Sequence, residues 1–274
     1  MRQQWSSWLR NIGIIVISAF MLFPVYWMFK TALESADETF HNPPYLVPPA
    51  ASFTMLANTF SDVVPSLGHS LIIALGCVAL TLIIATPAGY ALANLGLRGG
   101  SVVLMALLLA NMLPAVMYLL PIYLTLFHAH LLNTYPGIIL ADSTYVVPLA
   151  VFIIYSYMKS IPTAMIEAAL IDGASLLTAF VRVVVPVAQP CLITSSIFAF
   201  LLGWGDFLYG LTLTNGQQIM PASVYIYDYI SPGKEIQWNQ VMSGAIYMAV
   251  PVAILLIVAQ RYISAGLTAG AFKG

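Results

Sequence analysis

The sequence predicts an all-α polytopic membrane protein with six transmembrane helices and one amphipathic loop on the cytoplasmic side, and three observations lead there. Of its 274 residues, 61% are hydrophobic and 7% charged, with a mean hydropathy of +0.92, beyond the composition of an ordinary soluble domain. Charge-free stretches long enough to cross a hydrocarbon core of about 30 Å recur along the chain. Residues 162–186 are the exception, a long apolar-looking run that holds Glu167, Asp172 and Arg182 inside it.

The elements follow in order. Residues 12–29 are eighteen positions without a charge, preceded by the basic and aromatic edge of Arg2, Trp5, Trp8 and Arg10. This run exceeds a signal-peptide core of roughly 7 to 15 residues, and no small-x-small pattern follows at Phe29-Lys30-Thr31, so an uncleaved first span is expected. Residues 30–68 gather Glu34, Asp37, Glu38 and Asp62 with Pro43, Pro44, Pro48, Pro49 and Pro65, and read as an external loop of turns and extended pieces. The second span is 70–95, with Gly76, Pro87 and Gly89 tolerated inside it. Residues 99–141 carry no charge and are too long for one helix. A turn around His128, His130, Asn133 and Pro136 divides the region into spans at 102–127 and 137–158. Spans five and six are 190–209 and 243–262. Between them, 210–242 is a second external loop with Asp228, Lys234, Glu235 and Trp238, in which the alternating Tyr225, Tyr227 and Tyr229 suggest a short strand. The whole of 1–274 reads as one transmembrane domain.

Charge sets the orientation. With both termini in the cytoplasm, Arg2, Arg10, Arg98, Lys159, Arg182, Arg261 and Lys273 lie inside, seven of the nine basic residues, and Lys30 and Lys234 lie outside. The same topology puts 162–186 in the cytoplasm. At helical period Ile166, Leu170, Gly173, Leu177, Phe180 and Val184 share one face. Burying Glu167 and Asp172 at bilayer depth costs on the order of 2.5 to 3.5 kcal/mol each, so this segment belongs at the surface. Pro162 suits a helix start and Gly173 a corner between two short helices.

Glu167-Ala168-Ala169, three residues, Gly173, nine residues, then Val183-Val184-Val185-Pro186 resembles the EAA loop of ABC importer permeases, with Val in place of the usual Ile and Leu before the proline. Asp172-Gly173-Ala174 matches the form found in the carbohydrate-uptake branch. Further along, His69-Ser70-Leu71 with Gly89-Tyr90-Ala91-Leu92-Ala93, Leu120-Pro121-Ile122-Tyr123, Trp204-Gly205-Asp206-Phe207 and the tail 266–274 are similar to the maltose-type second permease subunit; His69 and Gly205 stand where that family has Asn. The resemblance implies a binding-protein-dependent permease of a bacterial or archaeal inner membrane. Its partners would be a second permease subunit, a pair of ATPase subunits carrying ATP and Mg, and an external solute-binding protein; its solute would be a sugar or sugar derivative. It also implies that the loop is a coupling helix docking on the ATPase through Glu167, Ala168, Ala169, Asp172 and Gly173.

The remaining residues bound the chemistry. A net charge of −1 gives no reason to expect a nucleic-acid partner. No G-x-x-x-x-G-K-[ST] phosphate cradle occurs, so nucleotide hydrolysis is assigned to another chain, and no cofactor, metal site or catalytic residue is expected on this one. Cys77 and Cys191 sit in apolar runs as small buried hydrophobes, and His128 and His130 in a turn. Asn111, Tyr118, Ser143, Tyr145, Ser195 and Asp206 are candidates to line a solute path, with Thr125, Thr144 and Ser196 beside them; the competing use of such groups is helix-to-helix hydrogen bonding. Gly203-Trp204-Gly205-Asp206 also fits the G-x-G-D pattern of intramembrane aspartyl proteases, with Asp142 as the second acid. A partnerless secondary carrier is the other alternative.

Overall fold

Long apolar runs with few helix breakers can satisfy their backbone in hydrocarbon only as helices, and helices are what the computed structural model contains. It describes residues 2–216, 218–231 and 235–271, with side chains described at Trp8 and, within those ranges, at 10–260. The side chains of Arg2 and Arg261, and residues Lys234 and Lys273, lie outside what is described. Among the described residues no strand forms.

Four helices are long and apolar enough to cross a membrane within α1 (Arg2–Ala32), α3 (Phe53–Asn94), α6 (Tyr135–Met158) and α13 (Trp238–Ala271). Two bent pairs bring the number to six if each is one span. One pair is α4 (Gly100–Asn111) with α5 (Ala115–His128), bent by 100°. The other is the segment Leu176–Val187 with α10 (Gln189–Gly205), bent by 76°. Short helices complete the chain: α2 (Ala36–Thr39), α7 (Thr163–Ile171), α8 (Leu176–Ala179), α9 (Val185–Val187), α11 (Leu208–Leu213) and α12 (Ala222–Tyr227).

Three expectations need correction. The second helix begins at Phe53 rather than near 70, so the latter part of the expected loop 30–68 is helical. Packing overrides the loop-like polarity there: Thr59 and Val63 are buried, and the Tyr247 hydroxyl donates to the Leu56 carbonyl at 2.7 Å. The third expected span, 102–127, is broken at Met112, Leu113 and Pro114, where proline has no N–H to continue the ladder and restricts the residue before it. The tyrosines taken for a strand lie in α12 and a 3-10 turn (Asp228–Ile230). Tyr225 and Tyr229 are four apart as well as two-periodic, and their rings meet edge-on at 5.8 Å.

The start of α6 shows how locally the helix ends are set. Thr134 accepts a hydrogen bond from the Gly137 N–H at 3.2 Å, and Pro136 occupies the first turn, where its missing N–H is harmless.

The chain divides into two compact units. The first, Met1–Pro65 with Tyr225–Pro251, contains a buried ion pair between Lys30 and Glu34, 2.5 Å apart, with Lys30 also over the Trp27 ring at 4.6 Å. Asn239 donates to the Glu34 carbonyl at 3.3 Å. These two charges were expected in an open loop; instead they neutralise each other on consecutive turns, which is how charge is tolerated when buried.

The second unit, Ser66–Val224 with Val252–Gly274, holds two apolar clusters. One joins Tyr90, Ile154, Met158, Ile161, Ile166, Val184 and Cys191, and the other Ile73, Cys77, Ile138, Tyr209 and Leu213. Small residues let the helices approach: a Cβ on Gly89 would meet Ile154 Cγ2 at 2.7 Å, and one on Gly203 would meet Cys77 Sγ at 3.0 Å.

Candidate functional site

The loop after α6 is built by its caps. Pro162 precedes α7 with extended ψ of 128°, standing at the N-cap rather than within the first turn. At the other end Gly173 has φ +87°, a conformation that suits glycine. Its N–H donates to the Leu170 carbonyl at 3.1 Å, and the Ala174 N–H donates to the Ala169 carbonyl at 3.0 Å. That pair of bonds is a Schellman ending, so Asp172-Gly173-Ala174 is the sequence of a helix stop. Ser175 then caps α8, accepting from the Thr178 N–H at 3.2 Å. The result is a helix, a corner and a second helix.

Of α7 only Ile166 is buried; Glu167, Ala168, Asp172 and Gly173 are exposed and Ala169 is half-buried. The single apolar face read from periodicity does not survive the corner. Ile166 and Val184 are buried and Phe180 half-buried, but Leu170 already turns outward in the last turn of α7, and Leu177 points outward beyond the left-handed residue at 173, which resets the helical phase. Met165, Ile171, Leu176 and Val181 are exposed with them, so a short surface segment shows six large apolar side chains around Glu167 and Asp172. Exposed apolar area concentrated in this way marks an interaction surface.

The return arm is unusual. Residues Phe180–Val184 form a π-helical turn, closed by the Val185 N–H donating to the Phe180 carbonyl. Pro186 follows directly: it has no N–H for the Arg182 carbonyl, and its ring crowds that carbonyl, which favours a wider turn. Ala179 and Val184 are buried on this arm, and the Phe180 ring lies 4.8 Å from that of Tyr90 on α3, tilted by 40°.

The candidate path residues divide into groups. Asn111 inserts its amide into α6: in the orientation its neighbours require, it donates to the Tyr145 carbonyl at 2.9 Å and accepts from the Leu149 N–H at 3.1 Å. Those two backbone groups would otherwise pair with each other, next to Pro148. Tyr118 donates to the Ala110 carbonyl at 2.6 Å across the α4–α5 bend. Both residues, and the backbone of Tyr145, are therefore engaged in holding helices. Thr125, Thr144 and Ser196 donate to their own helices, to the carbonyls of Pro121, Ala141 and Leu192.

Asp206 ends α10 and caps α11: its two carboxylate oxygens accept from the N–H groups of Tyr209 at 3.2 Å and Gly210 at 2.6 Å. Each of its oxygens thus serves one N–H at the start of α11. Asp142 is buried, with the Cys77 thiol 3.7 Å from Oδ2. The hydroxyl of Ser195 is buried without a hydrogen-bond partner among the described residues, and those of Ser143 and Tyr209 are buried near Cys77 and Thr144. Ser143 adjoins Asp142 in sequence, so these two polar groups enter the interior of the second unit together.

Sequence reasoning missed the Cys77–Asp142 contact, the Tyr90–Phe180 pair and the Asn111 insertion. Only the last had a signal, since Pro148 in the middle of α6 implies a disturbed ladder needing an outside partner.

Comparison with known proteins accords with this arrangement. The family described as binding-protein-dependent transport system inner membrane component matches residues 85–268. The trehalose transport system permease protein SugB of Mycobacterium tuberculosis is 31% identical, covering 94% of this chain and 95% of its own length. The sulfoquinovosyl glycerol transport system permease protein SmoH of Agrobacterium fabrum is 30% identical over 97% and 94%. The trehalose/maltose transport system permease protein MalG of Thermococcus litoralis is 28% identical over 96% and 95%. In fold, the chain is similar to a chain of a bacterial ABC transporter involved in the import of the acidic polysaccharide alginate, with a TM-score of 0.81 at 20% identity over 96% of this chain and 98% of that one. The exposed, glycine-capped loop, the broken apolar helices and these likenesses agree: the chain belongs to the binding-protein-dependent inner membrane components, the permease subunits of ABC importers.

Proposed function

We propose that this subunit moves a sugar or sugar derivative across the membrane by alternating access, driven by ATP hydrolysis on separate ATPase subunits that grip the 162–186 loop. The observation that carries the reading is the exposed apolar cluster of Met165, Leu170, Ile171, Leu176, Leu177 and Val181 around Glu167, on a loop fixed in shape by its Schellman ending. A partner surface that covers those side chains and offers a basic group to Glu167 gains apolar burial and a charge-assisted contact together. Ala168, Ala169 and Gly173 keep the approach close, and Asp172 lies beside them. ATP and Mg belong to the ATPase.

The carbohydrate assignment is supported by relatives named for trehalose, sulfoquinovosyl glycerol and maltose. The other proposed partners are a sister permease and an external solute-binding protein, the latter meeting the 210–242 region. With both termini in the cytoplasm, the loop faces the ATPase.

Copurification tests this directly. The chain, coexpressed with a sister permease and an ATPase, is expected to retain the ATPase through purification. Glu167→Ala should weaken that retention by about threefold to tenfold, the range for a charged contact at an interface rim or just inside it. A cysteine at 167 should react with impermeant maleimide only from the cytoplasmic side. Reaction from outside intact cells would overturn the proposal.

A further inference from the structure

The loop must pass its movement to the helices, and the structure limits how. Helix α7 is fastened to the core only through Ile166; the return arm is fastened through Ala179, Val184 and Ala188, with Phe180 half-buried beside them. Phe180, the one aromatic residue of 162–186, brings its ring against α3, on Tyr90. Tyr90 is itself largely buried, and the adjoining Gly89 is pressed against Ile154 and the Tyr155 backbone of α6.

The position along α3 matters. At 42 residues this helix is about 63 Å long. Tyr90 lies three residues beyond Pro87, which donates no ladder bond and is a natural place for a helix to bend. The terminal turns of α3, residues 88–94, are thus held by α6 through Gly89 and by the loop through Tyr90. On the loop side, the contact starts at the first residue of the π turn, the part of the return arm whose ladder is already widened.

We propose that Phe180 is a positioning residue for transport: through its ring contact with Tyr90 it steers the terminal turns of α3 about Pro87 when the loop moves. The inference rests on the reading of the loop as the ATPase's handle and specifies where inside this chain the movement goes. Phe180 has no contact with solute or nucleotide in this scheme. It acts entirely through Tyr90.

The test uses the complete transporter with its ATPase, sister permease and binding protein in vesicles, scored as solute taken up per ATP hydrolysed at equal amounts of assembled complex. The first probe is radiolabelled trehalose, replaced by another labelled disaccharide if the wild type does not take it up. Phe180→Ala should leave hydrolysis near the wild-type rate and lower the uptake ratio about threefold to tenfold, in keeping with the strength of an aromatic pair. Phe180→Tyr should restore it. Tyr90→Ala should lower the ratio equally, and the double variant should be no worse than either single one, the signature of residues acting as a unit. A ratio unchanged in Phe180→Ala, or losses that multiply in the double variant, would overturn the proposal. Should Phe180→Ala fail to assemble, Phe180→Leu keeps the apolar volume without the ring, and wild-type uptake per ATP in that variant is equally fatal. Failure of the wider reading is distinct: the wild-type complex would then not retain its ATPase at all.

Discussion

At the break between α4 and α5 the chain turns by 100° and side chains close the gap, whereas before α10 it turns by 76° and the backbone itself gives way. In the first, Pro114 starts a new helix, Tyr118 reaches back to the Ala110 carbonyl, and Asn111 bonds to both Tyr145 and Leu149 of α6. In the second, Pro186 and Pro190 bracket the bend, and the ladder before it widens into the π turn of Phe180–Val184. Both arrangements answer the demand that backbone groups in an apolar setting find partners. A stitched break ties three helices into one stiff piece. A widened turn keeps its hydrogen bonds while conceding geometry, and it sits on the segment expected to move.

The largest expected effect comes from cutting the stitch. Asn111→Leu removes both bonds to α6, and the Tyr145 carbonyl and the Leu149 N–H then recover a partner only if α6 rewinds beside Pro148 to pair them with each other. A loss on the order of 2 to 3 kcal/mol is expected, visible as a lower melting temperature of the purified complex in detergent. If Asn111 instead lines a solute path, the same change would lower uptake and leave the melting temperature alone. Tyr118→Phe is the gentler version. It deletes one hydroxyl bond and should cost about 0.6 kcal/mol, with 1.7 as a ceiling for such bonds in membranes, and the thermal shift should be correspondingly smaller. A loss as large as that of Asn111→Leu would mean that Tyr118, and not the asparagine, holds the bend.

The two breaks also mark the limits of reading this fold from sequence. Apolar length located the long helices to within a few residues where nothing else intervened, as at α6, expected at 137–158 and found at Tyr135–Met158. The corner at Gly173 was legible because only a few residue types accept its left-handed backbone. What could not be read was decided by distant partners. The bonds of Asn111 to Tyr145 and Leu149 depend on α6, more than thirty positions away, being placed against it. The first turns of α3 look like a loop until Leu56 and Thr59 find their packing. Leu177 reads as continuing the apolar face of α7 because periodicity carries no phase across a glycine corner.

An effect as small as that of Tyr118→Phe is expected at Pro186, and it addresses what causes the widened turn. Pro186→Ala restores an N–H one turn after Arg182. If the missing donor is the cause, the 180–186 segment should tighten toward an α-helix, gaining about 0.5 to 1 kcal/mol from the added bond. Its amides should then exchange more slowly with deuterium in the intact complex. Phe180 would be drawn out of register with Tyr90 at the same time, because one residue fewer per turn rotates it about the helix axis, so uptake per ATP should fall even as the segment becomes more stable. The competing cause is packing: Val184, buried to 1% exposure, and the Phe180 ring could impose the wide turn from their two ends. In that case alanine at 186 leaves exchange and coupling as they were, and the difference between the two breaks comes from the core around Tyr90 and Met158, not from the proline.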